Sequence, residues 1–209
     1  LTGSGGVLSN ANDGLGHAGF LAGAGTVTFP LINTAGATVR ATNGSLVFTS
    51  GAAPANDGTL AAHGAAPLTF NTASTWQNLG TIDLWGGALR TGGEPFTNAG
   101  SGRISGYGFL IGGGSNGLAG AGIDKAIVNS GSIVVTNPAG AAPQTLTIDT
   151  GMATLNDGFL NRGVIDVGPG HTLALVRSNT LAHATDGTIT LRGGTLTASG
   201  GLLTNRTGA

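Results

Sequence analysis

The stretch FLNRGVIDVGPGHTLAL, residues 159–175, has the pattern of two short strands joined by a glycine corner. Its skeleton is an apolar residue followed at fixed offsets by Asn, Gly and a β-branched residue. The same skeleton returns in WQNLGTIDLWGGAL (76–89) and in IVNSGSIVV (127–135). One such segment predicts a strand, whereas a recurring segment predicts a repeat architecture.

The repeat has a fixed core, Asn-x-Gly-x-aliphatic, and a characteristic period. Unbroken copies begin at Asn56, Asn78, Asn129 and Asn161, and altered copies begin at Asn33, Asn98 and Thr185. The aliphatic residues that end the copies are Val39, Leu60, Ile82, Ile104, Ile133, Ile165 and Ile189, which gives steps of 21, 22, 22, 29, 32 and 24 residues. Apolar and polar residues alternate with the period of a strand, and no segment has a 3.6-residue apolar stripe. Such periods are typical of solenoids with inserted loops.

These patterns predict an all-β fold, a parallel β-solenoid of about nine rungs with ~20–32 residues each. Inserted loops are expected near residues 8–20, 111–126 and 136–144, and residues 1–209 are expected to be one solenoid segment of a longer repeat protein. The residues predicted to stack in an inward column are Leu60, Ile82, Ile104, Ile133, Ile165 and Ile189. The residues predicted to form an amide ladder at equivalent corners are Asn56, Asn78, Asn129 and Asn161.

A second strand is expected after each anchor. Its apolar residues are Leu46, Leu68, Leu89, Leu173 and Leu196. The corners between the two strands are TNG, WGG, GPG and RGG, which supply residues that tolerate φ > 0. Each rung is therefore predicted to turn at the same place as its neighbours.

Composition limits the kind of partner. The chain of 209 residues has 41 Gly, no Cys and 8% charged residues, whereas about 25% is usual for a soluble domain. A net charge of -1 argues against nucleic acid and against an anionic membrane surface. No apolar run approaches the ~20 residues needed to cross a bilayer, so no membrane insertion is expected for this segment.

The runs FLNRGVIDVGPGHTLAL, QNLGTIDLWGGALRTGG and LAGAGTV resemble repeats of right-handed β-helix passengers of bacterial autotransporters and of filamentous-haemagglutinin-like exoproteins. The resemblance implies export across an outer membrane and display at the bacterial cell surface, as a stalk or in adhesion or aggregation. The implied partners are a host-cell, neighbouring-cell or glycan surface. The alternative is a subunit of an extracellular filament or matrix whose solenoid ends associate end to end.

Two further functions are weighed against these. A polysaccharide-acting enzyme would need paired carboxylates, but Asp83 and Asp166 are expected three strand spacings apart, ~14 Å. An ice-binding face would need a double threonine row. The row of Thr26, Thr38, Thr59 and Thr81 is expected to lie beside Thr28, Arg40, Ala61 and Asp83, whose charges interrupt it. We therefore expect no enzymatic activity, no catalytic residue, no cofactor and no metal site.

The few aromatic residues divide by position. Trp76, Phe96 and Phe159 precede the Asn of the repeat and are expected in the core. Trp85 and Tyr107 lie in or near corners and are expected at the surface, where aromatic rings stack on sugars. These two residues are the candidate ligand contacts.

Overall fold

A computed structural model describes residues 6–92, 95–112, 127–139, 141–150, 158–176, 183–199 and 203–205. The described residues form strands and turns without a helix. The strands are β1 (Leu8–Asn10), β2 (Phe20–Val27), β3 (Leu31–Asn33), β4 (Thr38–Phe48), β5 (Ala55–Asn56), β6 (Thr59–His63), β7 (Leu68–Phe70), β8 (Trp76–Asn78), β9 (Thr81–Arg90), β10 (Phe96–Asn98), β11 (Arg103–Ile111), β12 (Ile127–Asn129), β13 (Ser132–Val135), β14 (Thr145–Asp149), β15 (Phe159–Asn161), β16 (Val164–Val167), β17 (Thr172–Val176), β18 (His183–Thr185), β19 (Thr188–Leu191), β20 (Thr195–Ser199) and β21 (Leu203–Asn205).

The strands build two parallel sheets. The first sheet has nine short strands in the order β1-β3-β5-β8-β10-β12-β15-β18-β21. The second sheet has twelve strands and two limbs, because a rung contributes either one long bent strand, such as β9, or two shorter ones, such as β13 and β14. Each rung thus contributes one strand to the first sheet and then crosses the second sheet. We call the part of the second sheet before the bend, such as β13, the first limb, and the part after the bend, such as β14, the second limb. This stacking of rungs confirms the predicted parallel β-solenoid.

The inward column of the first limb fills the core. Its members in register are Leu21, Val39, Leu60, Ile82, Ile104, Ile133, Ile165 and Ile189. From Val39 to Ile165 these side chains are at most 1% exposed, and Ile189 is partly buried against the core. A single rung cannot shield such residues from water, so burial comes from the rungs above and below.

Beside the stacked Phe48 and Phe70, the second limb carries two aliphatic inward columns. Leu46, Leu68 and Leu89 are in register with each other. The column of Leu89 continues through Leu110, Ile148 and Leu175. Leu173 and Leu196 belong instead to a second column, which includes Leu146 and lies two residues earlier along each strand. The second column begins at β14 because β11 has Gly108 where β14 has Leu146, and the similar spacing after each anchor in the sequence conceals this change of column.

Aromatic rings stack in the core where the first sheet meets the second limb. The ring centroids of Phe48 and Phe70 are 5.0 Å apart, those of Phe70 and Trp76 are 5.1 Å apart, and those of Trp76 and Phe96 are 4.7 Å apart. All four side chains are at most 1% exposed, and Phe159 is equally buried. Large apolar area and favourable ring geometry therefore stabilise successive rungs.

The corners between limbs contain backbone with positive φ. In all four corners predicted from the sequence such a residue occurs, namely Asn43, Gly86, Gly170 and Gly193. Asn43, with φ 58°, is the single non-glycine example among the described residues. Asparagine tolerates this conformation better than other residues with a Cβ.

The segments predicted as inserted loops have different outcomes. Residues 8–20 begin with strand β1, which pairs with β3 and places Asn10 opposite Asn33. The repeat was missed there because Asn12, not Gly, follows two positions after Asn10. Residues 136–144 connect β13 to β14, whereas residues 113–126 and 140 lie outside the described residues. Within the described ranges, no helix is long and apolar enough to cross a membrane.

Candidate functional site

An asparagine ladder runs along the turn that joins the first sheet to the first limb. Its members are Asn10, Asn33, Asn56, Asn78, Asn98, Asn129 and Asn161. Each side-chain Nδ2 donates to Oδ1 of the next asparagine over 2.6–2.8 Å, and Asn161 donates to the Thr185 hydroxyl at 3.1 Å. The structure thus joins the four predicted ladder residues to three further asparagines, and every member is buried.

The ladder also holds the turn backbone. The carbonyl oxygen of Asn98 accepts the backbone N–H groups of Ser130 and Gly131, and its Nδ2 also donates to the carbonyls of Gly102 and Ser132. Buried polar groups lower stability unless they find partners. Each ladder asparagine such as Asn98 therefore satisfies backbone groups in the turn of its own rung and in the turn of the following rung.

Removing one amide in the middle of the ladder is expected to destabilise the protein. Asn98→Ala leaves Oδ1 of Asn129 without its ladder donor and takes the acceptor from Nδ2 of Asn78. Each buried group that loses its partner costs about 1–3 kcal/mol, so we expect a loss of about 3 kcal/mol in urea unfolding. Asn98→Thr should lose less, because Thr185 already serves as an acceptor in this ladder. Equal stability of the alanine variant and the parent would contradict this role.

The outward residues of the first limb form a second, mixed surface. One outward column contains Arg40, Ala61, Asp83, Ser105, Val134 and Asp166 in register. A neighbouring column places His63, Trp85 and Tyr107 on successive rungs. The ladder positions repeat asparagine and the anchor positions repeat an aliphatic residue, whereas outward positions change chemical class from rung to rung.

Asp83 is the centre of a side-chain cluster on three rungs. Its Oδ2 accepts a hydrogen bond from Trp85 Nε1 at 2.7 Å and lies 3.1 Å from His63 Nε2. The Ser105 hydroxyl lies 3.5 Å from Asp83 Oδ1. About a quarter of the Asp83 side chain is exposed, at 25%, so the carboxylate still reaches solvent. We call Asp83, His63, Ser105, Trp85 and Tyr107 the corner cluster.

The two candidate ligand contacts lie together in the corner cluster. The ring centroids of Trp85 and Tyr107 are 6.0 Å apart at an interplanar angle of 73°, an edge-to-face arrangement. Both rings are half-buried rather than fully exposed, because Asp83 holds the Trp85 indole and the Tyr107 ring lies over Gly86. The His63–Asp83 contact was missed in the sequence, although their 20-residue separation is close to one repeat.

The register separates the carboxylates considered for catalysis. Asp83 and Asp166 share an outward column, but Ser105 and Val134 lie between them, so they are three strand spacings apart, ~14 Å. Asp166 instead forms an ion pair with Arg192. Within the described ranges, no group of three acidic or histidine side chains could hold a metal ion. The sequence also places an acidic and a basic residue side by side, Asp124 and Lys125, and both lie outside those ranges.

The threonine row considered for ice binding is shorter than expected. Thr38, Thr59 and Thr81 are in register, but Arg103 follows them and Phe20 precedes them. Thr26 was placed in this row by sequence, and that placement is wrong because Thr26 pairs with Val47 in the second limb. Likewise Ala22, not Thr28, lies beside Arg40. Bulky and charged residues therefore end the row on both sides.

An exposed pair lies in the turn before β2. The pKa of Asp13 is lowered, chiefly by its hydrogen bond with the His17 side chain and also by the backbone N–H of Leu15. Both partners are well exposed and are contained within residues 13–17. The pair therefore orders a surface turn.

Comparison of the chain with protein-family models, with curated proteins and with solved structures finds no match.

Proposed function

We propose that the chain is a structural and adhesive β-helical segment of a secreted or surface-displayed bacterial exoprotein. In this function the solenoid serves as a rigid stalk, and outward side chains bind a host-cell, neighbouring-cell or glycan surface. The observation that carries the proposal is the contrast between the inward side chains, which repeat, and the outward side chains, which vary. The asparagine ladder and the aliphatic column repeat from rung to rung, while the outward columns vary.

The uniform interior supports the stalk. Each rung is tied to the next by parallel backbone pairing, by the asparagine ladder and by stacked side chains. Stability in such arrays is a sum of nearest-neighbour terms, so added rungs extend the rod without a new fold. Length and stiffness are the properties that a surface stalk requires.

The varied exterior supports recognition. With 8% charged residues in the chain, contacts must come mainly from hydroxyls, amides, backbone and a few rings. The corner cluster gathers two aromatic rings, a carboxylate, an imidazole and a hydroxyl. Clustered aromatic and polar groups are typical of binding surfaces.

Adhesion by the isolated chain tests the proposal. Latex beads coated with the protein are expected to remain bound to bacterial or epithelial cell layers after washing, in excess of beads coated with serum albumin. The measurement is the number of retained beads per area. Retention no higher than the albumin control on either layer would contradict adhesion by this segment.

A self-stacking filament is the second candidate, favoured by β2. This strand lies at the end of the described path of the second sheet, and Phe20 on it is 65% exposed. Exposed apolar edge strands pair readily with other chains. If filaments form, light scattering should show mass rising with protein concentration, and Phe20→Lys should suppress the rise. A constant monomer mass would exclude this candidate.

A further inference from the structure

A small cleft lies on the bend beside the corner cluster, at the level of β6, β9 and β11. Its volume is about 210 Å³, and its lining includes Gly64, Gly86, Gly87, Pro67, Phe109 and Arg90. Ligand pockets for drug-sized molecules are usually larger, about 300–1,000 Å³. The cleft therefore suits one ring-sized group of a longer ligand that continues over the surface.

Two glycines of the cleft lining, Gly86 and Gly87, which we call the cleft floor, resist exchange for larger residues. A Cβ on Gly87 would lie 2.2 Å from the carbonyl oxygen of Ala62, and Gly86 has φ +79° with the Tyr107 ring 3.2 Å from its Cβ position. Close packing below and a left-handed backbone conformation thus keep side chains out of the floor. The depression is a consequence of how the rungs bend.

One aromatic ring lines the cleft, and two more lie at the adjoining corner. Phe109 lines it and is 48% exposed, although apolar rings are usually buried. Tyr107 lies over Gly86 at the adjoining corner, and Trp85 is fixed by its bond to Asp83. Rings held in place lose little conformational entropy on binding. The apolar C–H face of a pyranose ring can pack on such rings, while its hydroxyls can bond to Asp83 and Ser105.

Charge indicates which sugars fit. Among the described residues, Arg162 and Arg192 form ion pairs with aspartates, whereas Arg90 forms none. Arg90 is exposed and lines the cleft beside Phe109. A guanidinium binds a carboxylate through two parallel hydrogen bonds. An anionic group on the ligand would therefore complement this side of the cleft.

We propose that the cleft and the corner cluster together form a binding site for an acidic glycan, a polysaccharide with carboxylate-bearing sugars. One sugar ring packs against Phe109 over the glycine floor with its carboxylate on Arg90. The next sugars extend across the corner with their C–H faces on Tyr107 and Trp85 and with hydroxyls, rather than carboxylates, toward Asp83. This inference rests on the adhesive function proposed above and names the class of ligand.

Titration with trigalacturonate, an acidic trisaccharide, tests the site, and its neutral methyl ester is the matched ligand. Tryptophan emission is the readout, because Trp85 is half-buried in the corner cluster and Trp76 is in the core. The acid is expected to bind saturably at low salt, and the ester to bind at least about tenfold more weakly, since a charge-assisted hydrogen bond is lost.

Two arginine variants make the test specific. Arg90→Gln is expected to weaken trigalacturonate binding at least about tenfold, whereas Arg103→Gln, an exposed residue on the next rung but outside the cleft lining, should bind like the parent. Phe109→Ala should weaken binding of acid and ester alike. Circular dichroism checks that each variant keeps its strands.

The outcomes separate the site from the adhesive function. Absence of trigalacturonate binding, equal binding of the ester, or unchanged binding by Arg90→Gln would each overturn the site. If beads adhere to cells while trigalacturonate fails to bind, adhesion stands and the acidic-glycan site falls. If trigalacturonate binds with the expected variant profile while beads do not adhere, the site stands and the adhesive function falls.

Discussion

Ile133→Asp is expected to unfold the centre of the solenoid. Ile133 is fully buried, between Ile104 and Ile165 of the neighbouring rungs. A carboxylate at this position has no cationic partner in the aliphatic column, and burying such a group costs several kcal/mol. Urea unfolding followed by circular dichroism should show a large loss of stability. Hydrogen exchange should show several adjacent rungs opening together, because each rung depends on its neighbours.

The matched control is Ser132→Asp on the same strand. Ser132 points outward and lies in register with Arg103 on one side and Val164 on the other. An aspartate there stays solvated and lies near a cation, so stability should change by less than about 0.5 kcal/mol. If the Ile133→Asp protein melts like the parent, the burial of Ile133 in the inward column is contradicted, regardless of the stability of Ser132→Asp.

The repetition in the sequence was sufficient to predict the rungs. The Asn-x-Gly-x-aliphatic pattern indicated which residues are equivalent, and in a parallel solenoid equivalent residues stack. Asn56 and Asn78, or Ile82 and Ile104, therefore lie one above the other, as the pattern predicted. The exceptions occurred where the pattern is interrupted. Asn10 lacks the following glycine, and Thr26 belongs to the second limb rather than to the first.

The corner cluster and the cleft could not be predicted as fully. The period indicated which rungs meet, but it gave no side-chain direction at a bend. The hydrogen bond from Trp85 to Asp83 and the contact of His63 with Asp83 depend on that direction. The cleft depends on a further feature, the absence of side chains at Gly64, Gly86 and Gly87. In a chain with 41 glycines, those that form a depression do not differ in sequence from those that form turns.

Gly131→Ala is expected to lower stability as strongly as a core mutation. The turn after Asn129 packs closely on the preceding rung, because the N–H groups of Ser130 and Gly131 both donate to the carbonyl of Asn98. An added Cβ on Gly131 would lie 2.2 Å from the carbonyl oxygens of both Ala99 and Gly102. Backbone atoms cannot move aside as a flexible side chain can, so one methyl group should cost about 3 kcal/mol in urea unfolding.

Gly100→Ala is the matched control, because it adds the same methyl group in the turn of the preceding rung. No atom lies within 4 Å of a Cβ built on Gly100. Its stability should stay level or rise by about 0.4–1 kcal/mol, since alanine has fewer unfolded conformations to lose. A large loss in Gly131→Ala with none in Gly100→Ala would show that glycine is required after the ladder asparagine by the closeness of the rungs. Equal effects in both variants would instead indicate a general cost of replacing glycine in these turns.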